Sequence, residues 1–175
     1  YNAAIRCALN ITAQGLSRVN IRRGDWIAAQ ESHAPTRRFD ARIRVLRGEQ
    51  KPLKHWTPIH LHLGAADVTG RIAVLEGREI APGESGLVQL VLDEPVGALW
   101  GDRLILRDQS ARRTIAGGKA IDPFAPARGR ARPERLEILK ALEIPLAADA
   151  LKALLAKSNA GVELKPFAKS RNLSP

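Results

Sequence analysis

The sequence predicts a mainly β protein that ends in a helical segment. Six short runs of strand-like residues lie between residues 34 and 122, separated by turn signals. At Asp122 the texture changes to a Pro- and Arg-rich stretch. From Pro133 onward leucines recur at helical spacing.

The strand runs are taken in order. "RFDARIRVL" alternates and puts Phe39, Ala41, Ile43 and Val45 on one face. "PIHLHL" alternates in the same way, and "TGRIAVL", "GLVQLVL", "DRLILRD" and "RTIAGGKAI" follow. Gly48, Pro52, Ala81-Pro82-Gly83 and Gly101-Asp102 supply the turns. Six strands at this spacing suggest a small antiparallel barrel or sandwich with little helix. Upstream, "AAIRCALNI" and "VNIRRGDWIAA" read as short strands, the second with a Gly24-Asp25 turn. They lack partner strands and are expected to close a separate domain over residues 1–33. The barrel is expected over 34–122, a basic linker over 123–132, and a helical unit over 133–175.

The linker "DPFAPARGRARP" cannot form regular structure throughout. Pro133 suits a first helical position, where its missing N–H is not needed. Leu136, Leu139 and Leu142 stripe the helix that follows. "PLAADALKALLAKSNAG" predicts a second helix with Leu151, Leu154 and Leu155 on its apolar face and Gly161 past its end. "VELKPFAKSRN" predicts a short third helix, ended by Asn172 in the left-handed conformation. The final Ser174-Pro175 resembles the cap and first position of another helix, the place where a helix-turn-helix begins its recognition helix.

The chain carries 28 Lys and Arg against 18 Asp and Glu, a formal net charge of +10 over 175 residues. Phosphate backbones are the commonest partners of such a surface, ahead of anionic membranes and of a merely solvated charged face. The excess is uneven: residues 103 to 140 hold ten Lys or Arg and four Asp or Glu. No apolar run approaches the roughly 18 residues that span a bilayer. A lone cysteine, Cys7, excludes an internal disulfide framework and fits a reducing cytosol. The absence of Met and the start at Tyr1 are expected of a fragment of a longer protein.

Three of the four histidines fall in "HWTPIHLHL". His60 and His62 are two apart and share a strand face, while His55 lies across Pro58. Zinc needs three or four ligands with ordered outer support, and acid–base catalysis needs a carboxylate and a pocket. The pair therefore reads as polar residues on the solvated face of a barrel strand, compatible with contact to RNA. "AGGKA" lacks the first glycine of a phosphate loop and has Ala120 where Ser or Thr must reach magnesium. "DVTG" matches a GTPase switch pattern but stands without a phosphate loop. No catalytic residue, metal ligand or bound cofactor is expected in this chain. In "RGRARPER", Arg128, Arg130, Arg132 and Arg135 either contact phosphates or form a charged tether.

Longer stretches carry a resemblance. "IRRGDWIA", "FDARIRVL", "DVTGRI" and "GDRLILRDQSARRTIAGGKAI" resemble the end of domain II and the whole of domain III of elongation factor Tu-like GTPases. "PLKHWTPIHLHLGAADVTGRI", "LRDQSARRTIAGGKAIDPFAP" and "RGRARPERL" resemble, more narrowly, the selenocysteine-specific translation elongation factors. "GVELKPFAKSRNLSP" is similar to the start of the first winged helix of that family's C-terminal extension. The resemblance covers nearly the whole chain. It implies a six-stranded domain III-like barrel, a linker and a partial winged helix.

The resemblance further implies a cytoplasmic factor, expected as a monomer, that delivers selenocysteinyl-tRNA to the ribosome as a GTP complex. The parent family uses GTP and magnesium and reads an mRNA hairpin through its winged helices. Positions that grip the tRNA T-stem in elongation factor Tu fall here on His60, Thr69, Arg107 and Arg113, with Gly118 near the last hairpin. Arg128, Arg130 and Arg132 join them as candidate RNA contacts. His60 departs from the polar residue usual at its position. The alternative is a DNA-binding winged-helix regulator whose β-domain senses a ligand or metal through the histidines.

Overall fold

The computed structural model describes residues 8, 10, 21–29, 33–158 and 161–173. Six strands form a closed antiparallel barrel in the order β1-β6-β4-β3-β7-β8. They are β1 (Thr36–Val45), β3 (Thr57–Leu63), β4 (Ala66–Val74), β6 (Ser85–Val96), β7 (Arg103–Arg107) and β8 (Thr114–Asp122). Two short strands, β2 (Leu53–Lys54) and β5 (Glu79–Ile80), pair as a separate ribbon. The strands match the six predicted runs, and closure settles the choice between barrel and sandwich.

Alternation produces the interior. Phe39, Ala41, Ile43 and Val45 of β1 are buried, as are Ile59, Leu61 and Leu63 of β3 and Leu104 and Leu106 of β7. Closing the sheet pairs every strand on both sides and leaves no main-barrel edge to aggregate. Gly70 and Gly118 permit two of the closest approaches. A Cβ on Gly70 would stand 2.5 Å from the Val91 carbonyl oxygen, and one on Gly118 would stand 2.0 Å from that of Arg42.

The C-terminal segment forms α1 (Pro133–Leu142), α2 (Ala147–Leu155) and α3 (Leu164–Ser170). Pro133 occupies the first turn of α1 as expected. Asn172 takes the left-handed conformation (φ 50°) just past α3. Leu139, Leu142 and Leu154 are buried, but Leu155 is 51% exposed, so the apolar face of α2 is narrower than its leucines suggest. These helices build a second core on the outside of the barrel, where Leu139, Ala150 and Phe167 meet Leu75, Leu87 and Ile121. No helix among the described residues is long and apolar enough to cross a membrane.

The predicted linker is irregular, yet it is docked. Asp40 and Asp122 are cross-strand neighbours on the outer face of β1 and β8. Arg135 of α1 donates through one Nη to both carboxylates at 2.5 Å. Gln89 donates to Asp40 at 2.9 Å and to the Pro126 carbonyl at 3.1 Å. Arg130 donates to Gln89 at 3.1 Å and lies 5.8 Å from the ring centre of Trp56. Burial pushes the Asp40 carboxyl above its usual range, and Arg135 opposes that shift. Just past the end of α1, Glu143 accepts a bidentate pair from Arg42 at 2.7 and 2.6 Å. Trp100 donates to the Leu142 carbonyl at 2.7 Å, and Arg171 caps the end of α1 through the carbonyls of Leu142, Ile144 and Pro145.

The upstream strand runs are not seen as strands in the described part. Residues 21–29 contain the expected turn at Gly24, where Asp25 accepts from the Arg22 amide at 2.6 Å, but form no strand. Trp26 packs against Gly97 instead. "AAIRCALNI", apart from Ala8 and Asn10, lies outside the described residues, as do Ser174 and Pro175.

Removing Arg135 would leave two buried carboxylates facing each other without a counter-ion. Arg135→Ala is expected to destabilise the chain by about 3–5 kcal/mol, the range for breaking a buried pair from one side. A urea midpoint close to that of the unaltered chain would show that the network does not hold the helices.

Candidate nucleic-acid interface

The C-terminal segment covers only part of the barrel. It shields the outward residues of β1, β6 and the end of β8, including Asp40, Leu87, Gln89 and Ile121. The outward residues of β3 and β7, with parts of β4 and β8, remain open.

Cross-strand register builds the open face. Thr69 of β4 pairs with His60 of β3, which pairs with Arg107 of β7, which pairs with Thr114 of β8. Three predicted contacts that are 9 to 47 residues apart in sequence therefore form one row, with Cβ atoms of direct neighbours roughly 5 Å apart. Arg113 sits at the end of this row, before Thr114, with a side chain 60% exposed. Each cation is held by a short tether. Arg107 donates to the Arg112 carbonyl at 3.3 Å, and Arg113 donates to Glu49 at 3.1 Å. The β7–β8 hairpin is folded by Asp108, whose Oδ1 accepts from Ser110 Oγ and from the amides of Arg112 and Arg113. The Thr69 hydroxyl donates to Asp93 and keeps its oxygen as an acceptor.

The histidines separate as alternation implies. His60 Nδ1 is 3.2 Å from Asp67, and His62 Nε2 is 3.8 Å from the same oxygen. His55 turns away: its Nδ1 meets the Val74 carbonyl at 3.2 Å and its ring stacks on Trp56. Among the described residues no three His, Cys, Asp or Glu side chains converge as a metal requires.

The remaining predicted contacts fall elsewhere. Gly118 points its missing side chain inward, between Ile43 and Leu104, so the fold itself demands glycine there. Arg130 is engaged with Gln89 and Trp56. Arg128 and Arg132 are exposed along the docked linker, outside the row. Sequence reasoning did not single out Arg103, Ile105, Gly117 or Lys119, which share the open face. Their alternation in "RLILR" and "GGK" was the available signal.

These features define a small β-barrel with a cationic, hydroxyl-bearing outer face and a helical unit fixed to its opposite side. A family model described as "Selenocysteine-specific elongation factor, beta-barrel domain" matches residues 40–127. The chain belongs to this family, the selenocysteine-specific elongation factors. Its relatives include three proteins carrying that name. The Escherichia coli (strain K12) protein is 37% identical over 174 residues, 99% of this chain and 26% of the relative. The Haemophilus influenzae protein is 33% identical over 158 residues, 90% of this chain and 25% of the relative. The Desulfomicrobium baculatum protein is 31% identical over 122 residues, 70% of this chain and 19% of the relative. The chain thus spans about a quarter or less of the length of these curated relatives.

Gly118→Ala drives a Cβ into the β1 backbone and is expected to destabilise the barrel by about 1–3 kcal/mol or more, as overpacking does. Thermal or urea unfolding checks this. An unchanged midpoint would return Gly118 to the set of purely RNA-facing candidates.

Proposed function

We propose that this chain is the tRNA-binding part of a GTP-dependent elongation factor that delivers selenocysteinyl-tRNA to the ribosome for selenocysteine incorporation at UGA codons. The observation that carries the reading is the register row Thr69–His60–Arg107, ended by Arg113, on the face the helices leave open. Membership of the selenocysteine-specific elongation factors supports a tRNA as the partner of this row.

A-form RNA offers phosphates and 2′-hydroxyls along a shallow minor groove, and its base edges in the deep groove are out of reach. A row of hydroxyl, imidazole and guanidinium groups matches that chemistry. Arg107 and Arg113 donate charge-assisted hydrogen bonds to phosphate oxygens. Thr69 and His60 exchange hydrogen bonds with sugar hydroxyls. Arg128 and Arg132 add phosphate contacts at the border where the linker approaches Trp56. Asp67, Asp93 and Asp108 punctuate the face and orient these groups, so the nucleic acid is gripped by backbone geometry and not by uniform charge.

The chain acts here as a binding module of a larger cytoplasmic protein. GTP and magnesium are assigned to a separate GTPase domain of the whole protein. The α1–α3 segment is read as the start of a winged-helix array directed at an mRNA hairpin. A ligand- or metal-sensing regulator of DNA is less well supported, because His55 is tied to Val74 and leaves two histidines where zinc needs three or four ligands.

Affinity for selenocysteine tRNA is expected to fall steeply as salt rises, since each phosphate contact releases counter-ions. Arg107→Ala and Arg113→Ala should each weaken binding by about 1 kcal/mol or more, roughly fivefold. Filter-binding or anisotropy titrations at several salt concentrations check this. A curve indifferent to salt and to both substitutions would contradict the proposal.

A further inference from the structure

Trp56 stands in the turn between β2 and β3 with a backbone that bulky residues rarely adopt. Its φ is 68°, in the left-handed region that favours glycine. The turn holds it there from both sides. Its amide donates to the Ile72 carbonyl at 2.7 Å, and its own carbonyl accepts from Arg71 at 3.3 Å. The His55 amide donates to the Arg78 carbonyl, and the Thr57 hydroxyl donates to the Lys54 carbonyl. A strained conformation held this firmly points to a use for the side chain beyond folding.

The chain's three tryptophans are employed differently. Trp26 packs over Gly97, and Trp100 lies 4.1 Å from the Arg171 guanidinium and donates to the Leu142 carbonyl. Trp56 fills no core and is 43% exposed. Its neighbours extend its aromatic surface. The His55 ring stacks on it with centroids 6.0 Å apart, is fixed through Nδ1 by the Val74 carbonyl, and is itself exposed. Arg130, held by Gln89, lies 5.8 Å from the Trp56 ring centre. The result is a pre-ordered stacking platform at the surface.

Cations surround the platform. Arg71 of β4 is in register with Val91 of β6, which is in register with Arg38 of β1. This outward row borders the row of Ala73 and Gln89 that lies under Arg130. Neighbouring rows on one face are about 7 Å apart, at ~3.3 Å per residue. Arg128 and Arg132 are exposed on the linker on either side of Arg130. Among the described residues, none of Arg38, Arg71, Arg128 and Arg132 pairs with a carboxylate. Lys54 faces Glu79 across the short ribbon and stands apart from this set.

Aromatic surface flanked by guanidinium groups is the chemistry of single-strand recognition. An unpaired base stacks on a ring whatever its identity, while cations follow the phosphates. A base inside a duplex is already stacked on both faces and offers none to Trp56. An acyl chain or apolar peptide would use the ring and leave four cations unpaired. We infer that the His55–Trp56 platform stacks unpaired nucleotides of a single-stranded RNA segment, with Arg38, Arg71, Arg128 and Arg132 on its phosphates. That the partner is RNA rests on the reading above. The platform is separate from the row: Trp56 precedes His60 by four residues, about 13 Å along the chain, toward the linker.

The test uses the whole 175-residue chain, a short fluorescent oligouridylate, and an abasic oligomer of the same length. The unaltered chain is expected to bind the oligouridylate about tenfold more tightly, because charge alone does not sense bases. Trp56→Gly is expected to keep or raise the unfolding midpoint, since glycine suits φ 68°, and to weaken oligouridylate binding about tenfold. Trp56→Phe keeps a ring and is expected to stay within about threefold. Arg38→Ala is expected to weaken binding and to lower the salt slope by about 0.7 to 1.

Equal binding of the two oligomers overturns the platform, as does a Trp56→Gly variant that binds oligouridylate like the unaltered chain. If that occurs while Arg107→Ala still weakens selenocysteine tRNA binding, the platform alone falls and the RNA-binding reading stands. Trp56-dependent binding to phosphatidylglycerol vesicles, with none to oligouridylate, makes the surface a membrane contact and overturns the inference. Should Trp56→Gly unfold, the oligouridylate and abasic comparison on the unaltered chain decides.

Discussion

One guanidinium organises this molecule. Arg135 reaches from α1 to Asp40 and Asp122, two carboxylates that strand register places side by side on the barrel. Both are shielded from water there, and taking a carboxylate out of water costs several kcal/mol that a facing cation offsets. The arginine also fixes where the chain goes after the barrel. The linker must cross Gln89 to bring α1 home, and α1 must lie along β1 for Glu143 to meet Arg42. Arg171 and Trp100 then close the far end of the helical unit.

The consequence is a barrel with two unlike outer faces. One face is a second core, apolar and ion-paired, with Leu87 and Ile121 under the helices. The other keeps its outward residues in water, and register assembles them into rows. Charge distribution follows the same division. Arg42, Arg130 and Arg135 are consumed in holding the helices and Arg113 is paired with Glu49, while Arg103, Arg107 and Lys119 have no carboxylate partner among the described residues. A net charge of +10 says that a polyanion is attractive. The fold says which of those charges are available to it.

Much of the barrel was legible because a half-buried strand writes its inner face into every second residue. "RFDARIRVL" and "PIHLHL" are read correctly on that basis, as are the Pro133 start and the Asn172 stop. The docked linker was not legible. Arg135 and Asp40 are 95 positions apart, and no local pattern records an ion pair at that distance. A hint was present in "GLVQLVL", where Leu87 and Val91 put apolar residues on the outward set as well, flanking Gln89. Such a run means burial on both faces, and Leu87 and Gln89 are indeed covered from outside. The candidate contacts His60, Thr69, Arg107 and Arg113 came from resemblance, and their alignment across three strands follows from closure of the sheet. Arg103, Lys119 and Gly117 were passed over because a charge or a glycine on a strand carries no meaning until its neighbours across the sheet are known.

The central claim is that the helices hold one side of the barrel and leave the β3–β7–β8 side to RNA. Amide hydrogen exchange of the chain with and without selenocysteine tRNA tests it most directly. The account predicts that protection gained on adding tRNA concentrates in 57–71 and 103–119, while α1, α2 and α3 exchange as before. Protection confined to the helices, with β3 and β7 unchanged, would contradict it.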